Sequence, residues 1–306
     1  MTNKKVHRIK TITEYHRVKG LPKPENHLIS LIKYEDIKQS PENNLVNWVL
    51  DFYSISLKRN ISGKMKYGQQ QYDFDEGVMF FISPNQVFGI EVPKKQKIKP
   101  SGWILLVHPD FLWKTSLTKS IKKYVYFDYS VHEALFLSDK EETTIEGILK
   151  NIQNEYHLNI DKFSQDIIIS QLETLLNYAE RFYHRQFLTR KISNHEILNR
   201  MEDMLSEYFS DNSLLKKGLP AVQTIADSLN VSANYLSVLL KVLTGQSTQQ
   251  HIHDKLIEKA KEKLSTSDLS VSEIAYALGF EYPQSFSKMF KLKTNLSPME
   301  FRQSLN

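Results

Sequence analysis

The sequence predicts an α+β protein: a small N-terminal β-barrel with a helical hairpin, then an all-α domain with two helix-turn-helix units. Three observations carry this. Between Leu28 and Leu137 apolar residues alternate or run in short blocks between turn residues, as strands do. From Asp139 to Gln186 they recur at helical spacing, and beyond Glu196 a helix-turn-helix pattern occurs twice, about 50 residues apart. The predicted boundaries are 1–27 for an N-terminal arm, 28–138 for the β-domain, 139–193 for the hairpin and a hinge, and 194–306 for the helical domain.

The arm carries Lys4, Lys5, Arg8, Lys10, Arg17, Lys19 and Lys23 against Glu14 and Glu25, without clear periodicity. This reads as a solvated tail. In the β-domain Tyr53-Ser54-Ile55-Ser56-Leu57 alternates, while Gly77 to Ile82 and Trp103 to Val107 are short apolar runs. Asn60, Ser62-Gly63, Asp75-Glu76-Gly77 and Ser83-Pro84-Asn85 supply turns between them. The pattern fits a small antiparallel barrel or sandwich. His108, followed by Pro109-Asp110, ends a strand. Trp48, Phe52, Tyr53, Phe80, Phe81, Phe88 and Trp103 concentrate here. Core packing accounts for such rings first, and a cavity among them would suit a small apolar or aromatic effector.

In the hairpin Ile145, Ile148, Leu149, Ile152 and Tyr156 form one stripe. Ile168, Leu172, Leu175, Leu176, Ala179 and Phe182 form another, with Asn159 as the break between them. Phe163, Ile167, Ile169 and Tyr183 lie off the second stripe, so that helix is apolar on more than one side and expects two partners. One is the β-domain. The other is a second subunit, in a symmetric dimer through Ile168, Leu172 and Leu176. Phe187 to Ser193 reads as a short basic hinge.

The helical domain carries the most decodable chemistry. Val271, Ile274, Ala275 and Leu278 make one apolar face, and Ser270 with Glu273 makes a capping box at its start. Gly279 ends that helix and Pro283 opens the next. The second helix buries Phe286, Met289 and Phe290, leaving Gln284, Ser287, Lys288 and Lys291 on the opposite face. Upstream, Val222, Ile225, Ala226 and Leu229 repeat the first face, and Leu236, Leu239 and Leu240 the second. Gly245 and Asn295 stand at matching helix ends, where a left-handed residue is wanted. Between the copies, Thr248 to Leu264 reads as one connecting helix of about 26 Å.

These residues resemble the AraC/XylS-type transcription regulators. The resemblance is carried by Ile225-Ala226, Ser232, Tyr235-Leu236-Ser237, Lys241, Thr244-Gly245, Glu258-Lys259-Ala260, Leu264, Glu273-Ile274-Ala275, Gly279-Phe280, Phe286-Ser287, Phe290-Lys291, Ser297-Pro298 and Phe301-Arg302. It implies seven helices, of which the third and sixth face successive major-groove segments of double-stranded DNA. It aligns Asn234, Ser237, Val238 and Lys241 with the exposed face of the first reading helix, and Gln284, Ser287, Lys288 and Lys291 with that of the second. Ser232, Tyr235, Tyr282 and Ser285 are counted with them. Lys255 departs from the family's usual Arg, Asn295 from Gly and Leu240 from Phe. Gln pairs with adenine and Lys reaches guanine acceptors, whereas Val238 offers only an apolar contact. The second head is therefore expected to read bases and the first to position the protein. RNA polymerase is a further partner that the resemblance implies. Arms in this family can also close over an effector pocket.

Gly77 to Phe88 is similar to the second half of a cupin, so the β-domain is expected to be cupin-like. A metal-binding cupin needs an H-x-H pair, a carboxylate and a later histidine. Here no H-x-H occurs before residue 251, and Gln86 or Val87 stands where the later histidine would be. His251 and His253 on a helix point about 200° apart and do not share an ion. No metal and no cofactor is expected.

Composition bounds the remainder. There are no cysteines, which excludes disulfides, cysteine-ligated zinc, thiol nucleophiles and the methyl-accepting repair relatives of this fold. No apolar run is long enough for a membrane span and no signal core begins the chain, so a cytoplasmic protein is expected. Residues 213–306 hold 11 Lys+Arg against 8 Asp+Glu, only mildly basic, so the motif rather than the charge carries the nucleic-acid expectation. The alternative is a cupin-type enzyme with an accessory DNA module, but no Walker loop, nucleophile elbow or metal triad supplies one.

Overall fold

A computed structural model describes residues 6–38, 47–59, 66–67, 70–71, 77–89, 101–129, 133–157, 163–189, 191–210 and 218–304. The turns expected at 60–63 and 75–76 and the break at Asn159 lie outside them. The chain divides into two compact units, Met1–Gln186 and Phe187–Asn306. Both strand-rich and helical regions are present, the predicted α+β class.

The first unit contains β1 (Val6–Ile9), α1 (Ile12–Val18), β2 (Ile29–Lys33), β3 (Asn47–Leu50), β4 (Tyr53–Arg59), β5 (Lys66–Tyr67), β6 (Gln70–Gln71), β7 (Val78–Ile82), β8 (Val87–Gly89), β9 (Ser101–Val107), α2 (Leu117–Ser120) and β10 (Leu135–Phe136). A five-stranded sheet runs β10-β7-β4-β9-β2, a three-stranded sheet runs β1-β3-β8, and β5 pairs with β6. Pairing is antiparallel except between β1 and β3. Ile9, Trp48 and Leu50 from the smaller sheet share one core cluster with Ile32, Ile104 and Leu106 from the larger. The five-stranded and three-stranded sheets thus share a common core.

The alternation in β4 has a clear structural meaning. Ser56 lies opposite Ile104 and Phe80, so Ser54, Ser56 and Lys58 share the face that looks into this core. Ile55 and Leu57 take the other face, which is also buried. Gly102, opposite Lys58, has φ +118°. His108 follows β9 as expected, and its ring accepts from the Asp110 N–H at 3.2 Å.

From Val6 onward the expected solvated arm is instead folded. Its β1 adds in parallel to β3, and α1 buries Ile12, Tyr15 and His16. Thr11 accepts the Glu14 N–H and Glu14 accepts the Lys10 N–H, a local T-x-x-E cap that the sequence held. A strand of four residues and a helix of seven are too short to show a period.

The hairpin helices are α3 (Asp139–His157) and α4 (Ser164–Thr189). The buried residues of α3 are the predicted stripe, Ile145, Ile148, Leu149, Ile152 and Tyr156. On α4, Ile168, Leu172 and Leu176 are 5%, 1% and 0% exposed, which corrects their assignment to a dimer surface. Their partners are intramolecular: Tyr126, on a single turn of tighter helix between α2 and β10, donates its hydroxyl to the Leu176 carbonyl at 2.8 Å. Tyr183 stacks on Tyr126 at 5.4 Å between centroids, and both rings meet Phe81 of β7. From Ile168 to Tyr183 the apolar side chains of α4 are thus buried within one chain, whereas Phe163 and Ile167 at its start are exposed.

The second unit takes the last residues of α4, then α5 (Lys191–Ser210), α6 (Val222–Leu229), α7 (Ala233–Thr244), α8 (Thr248–Thr266), α9 (Val271–Ala277), α10 (Pro283–Thr294) and α11 (Pro298–Gln303). The expected hinge at 187–193 is mostly helical instead, with α4 running to Thr189 and α5 starting at Lys191. Phe187 is buried rather than part of a solvated linker. One core cluster joins Met201 and Leu205 of α5 to Ile225, Leu236, Leu256, Ile274, Phe286 and Phe290. Among the described residues no helix is long and apolar enough to cross a membrane.

Candidate nucleic-acid interface

Helices α7 and α10 are each set by the ends of their neighbours. After α6, Asn230 takes the left-handed conformation at φ 58°, and Ser232 caps α7 by accepting the Tyr235 N–H at 3.2 Å. After α9, Gly279 serves at φ 81°, and Pro283 begins α10 behind its N-cap Tyr282. The Ser270–Glu273 capping box is formed in both directions, with the Ser270 N–H donating to Glu273 at 2.7 Å. Hydrogen bonds from Ser270 hold the Glu273 carboxyl below its ordinary range. Gly245 and Asn295 end α7 and α10 in the left-handed region, at φ 78° and 61°.

The faces of α7 and α10 divide cleanly. Leu236, Leu239 and Leu240 are buried on α7, and Phe286 and Phe290 on α10. Asn234 and Lys241 of α7 are exposed, with Ser237 and Val238 half-buried between them. On α10 Gln284, Ser285, Lys288 and Lys291 are exposed, Ser287 is half-buried, and Tyr282 just before the helix is exposed. The exposed set thus follows one helical stripe on each helix, as the sequence predicts.

Three assignments change in detail. Tyr235 is only 2% exposed, with its ring edge-on to Phe187 at 5.1 Å, so it supports α7 from behind instead of touching DNA. The Ser237 hydroxyl lies 3.1 Å from that of Thr248, tying α7 to the start of α8, and the Ser287 hydroxyl donates to the Pro283 carbonyl at 3.1 Å. Lys293, near the end of α10, gives its ammonium to Asp254 at 2.7 Å.

Asp254 is the residue that sequence reasoning missed. From α8 it takes Lys293 of α10 on Oδ1 and the Gln246 amide at 2.8 Å on Oδ2, so one carboxylate ties α10 to the turn after α7. Burial, and then the Lys293 charge, hold the His253 imidazole below its usual pKa. His251 and His253 take different partners, Thr244 and Gln249. Lys255 pairs with Glu258 along the helix at 3.1 Å. At the far end, Arg302 donates to the carbonyls of Leu264, Ser267 and Leu269, fixing α11 to the end of α8.

The Asp254 brace leads to a specific expectation. Asp254→Ala releases Lys293 toward phosphate, so the slope of log affinity against log salt should steepen by about one. Because the pair is partly exposed, stability should change by no more than about 1 kcal/mol. Titration of duplex binding at several salt concentrations checks this; an unchanged slope would mean Lys293 does not reach the backbone when freed.

Comparison with known proteins finds relatives for this part of the chain. Residues 225–304 match the model of a helix-turn-helix domain. An uncharacterised HTH-type transcriptional regulator of Pseudoalteromonas carrageenovora is 32% identical over 116 residues, 38% of this chain and 64% of the relative. The raffinose operon transcriptional regulatory protein RafR of Pediococcus pentosaceus is 30% identical over 141 residues, 46% of this chain and 48% of the relative. The chain thus spans less than two thirds of the length of these relatives. Among solved structures, the C-terminal domain of the response regulator yesN from Fusobacterium nucleatum is 28% identical, with a TM-score of 0.30, covering 34% of this chain and 95% of that one. Over residues 225–304 the chain carries a helix-turn-helix domain.

Proposed function

We propose that the chain is a sequence-specific DNA-binding transcription regulator that acts in the cytoplasm on duplex DNA. The observation that carries it is the pair of helices α7 and α10, each filling a shared core on one side and presenting polar side chains on the other. In this reading α6–α7 and α9–α10 are two helix-turn-helix heads. The connecting helix, 19 residues long, spans about 28 Å, less than the roughly 34 Å between successive major-groove faces. DNA then bends, or one head is held loosely.

The better base chemistry lies on α10, where Gln284 and Lys288 are both exposed. Gln284→Ala and Lys288→Ala should each cost about 1–3 kcal/mol on the specific site and relax preference in one half of it. Val238→Ala should cost little. Binding-site selection on random duplexes checks the division; Asn234→Ala relaxing specificity as much as Gln284→Ala would refute it.

The β-rich unit is read as a cupin-like sensing domain for a small effector, and contact with RNA polymerase follows from the regulator role. A homodimer also fits, through side chains other than those first expected. Phe163 and Ile167 at the start of α4 are 55% and 43% exposed, and Trp113 is 68% exposed. Gln165 ties this end of α4 to the Phe111 carbonyl at 2.7 Å. Sedimentation at micromolar concentration should show a dimer that Ile167→Glu weakens; a monomeric unmutated chain would end the idea.

A further inference from the structure

The outward stripe of α10 contains a side chain that the two-head reading leaves unused. Leu292 is 80% exposed, more than any other large apolar side chain among the described residues. Counted at about 100° per residue from Gln284, Lys288 lies about 40° round the helix, Leu292 about 80° and Ser285 about 100°. Phe286 and Phe290, which fill the core, lie about 200° and 240° round. Leu292 therefore stands between two exposed polar residues of the stripe, facing away from the core.

Nothing within the chain calls for a leucine at this position. Lysine and glutamine favour helix about as well, so propensity does not select it. Asn295 closes the helix by donating its N–H to the Lys291 carbonyl at 2.9 Å, and the apolar contact that accompanies such a cap falls on Lys291 or Phe290. Single exposed leucines are common on protein surfaces, and what distinguishes this one is its company.

Ser285, Lys288 and Leu292 stand at i, i+3 and i+7, a spacing at which one recognition helix reaches successive base edges in homeodomains. From Gln284 to Leu292 the helix rises about 12 Å, the height of about three to four stacked base pairs. The apolar feature of a base edge in the major groove is the thymine 5-methyl group. Against guanine, cytosine or adenine a leucine would strip water from donors and acceptors without replacing it. Against thymine it covers a methyl group that gains from leaving water.

We propose that Leu292 is a specificity-determining residue of α10 that reads a thymine methyl group, within about four base pairs of the base met by Gln284. The assignment rests on the reading of α9–α10 as a DNA-reading head and adds a contact of a different chemistry. Gln284 and Lys288 offer hydrogen bonds, whereas Leu292 offers a dry surface. The half-site then carries a thymine beyond the base met by Lys288, on the side away from that met by Gln284.

Binding-site selection on random duplexes with the full chain, Gln284→Ala and Leu292→Ala tests this. The unmutated chain should select a thymine at one position that Leu292→Ala leaves free, with the position governed by Gln284 still selected. Replacing that thymine by uracil removes the methyl group alone, and anisotropy titration should then show about three- to tenfold weaker binding by the unmutated chain. Leu292→Ala should bind both duplexes equally. The uracil comparison uses the unmutated protein, so it does not depend on how any variant folds. Equal affinity of the unmutated chain for the thymine and uracil duplexes, an equal loss in Leu292→Ala, or a selected site that Leu292→Ala leaves unchanged would each overturn the assignment. If Gln284→Ala still relaxes the site in those cases, the DNA-reading head stands without Leu292. No selected sequence from any of the three proteins would remove the head and the assignment together.

Discussion

Phe286→Ala should remove about 3–5 kcal/mol from the stability of residues 187–306. The ring is fully buried, 5.5 Å from Phe280 and 5.7 Å from Phe290 between centroids. Phe290 is itself held by α11 through Phe301 at 5.6 Å, so collapse into the vacated space is limited. A domain commonly holds only about 5–15 kcal/mol in total, so DNA binding should be lost well below the temperature at which the unmutated protein loses it. Leu292, six residues further along α10 but 80% exposed, supplies the control: Leu292→Ala should change stability by less than about 0.5 kcal/mol. Urea unfolding followed by circular dichroism measures both, and equal effects from the two substitutions would contradict the packing described.

In the other unit the largest effect is expected at Gly102. Its φ of +118° is open to glycine alone, and a Cβ there would sit 2.1 Å from the Leu57 carbonyl oxygen. Gly102→Ala should therefore cost about 2–6 kcal/mol, from about 1–3 of backbone strain and a similar amount of overpacking. The contact is with backbone of the central strand, so no rotamer change relieves it. Denaturant unfolding of the purified variant reads the loss, and a melting point equal to that of the unmutated protein would show that β9 adopts another path there.

The parts of this molecule that were legible in the sequence depend on neighbours within one or two helical turns. The α3 stripe, the Ser270–Glu273 capping box and the left-handed Gly245 and Asn295 all follow from local spacing and backbone sterics. The outward residues of α10 were legible for the same reason. What was missed depends on contacts across the chain. The Asp254–Lys293 pair joins residues 39 apart, and Tyr126 reaches Leu176 over 50. An apolar helix face looks alike whether its partner lies in the same chain or in another, which is why α4 was assigned a dimer contact at Ile168, Leu172 and Leu176. Tyr235 was misplaced because motif membership marks a position as constrained without saying whether the constraint is burial or contact. Lys58 carried a signal that went unused: extending the Tyr53–Leu57 alternation by one residue puts a lysine on the serine side of the strand.

The single core shared by both heads also decides how such a protein can change its target. Ile225 and Leu236 of one head and Ile274, Phe286 and Phe290 of the other pack in the same cluster with Leu256 of the helix between them. Transplanting one helix pair from a relative would import half of a jigsaw whose other half stayed behind, so neither head is an exchangeable cassette. Gln284, Ser285 and Lys288 lie outside that cluster, and substitution there leaves the packing intact. Under the proposed function, new operators would therefore be reached by point changes on an outward stripe, one base contact at a time, while the scaffold is inherited whole.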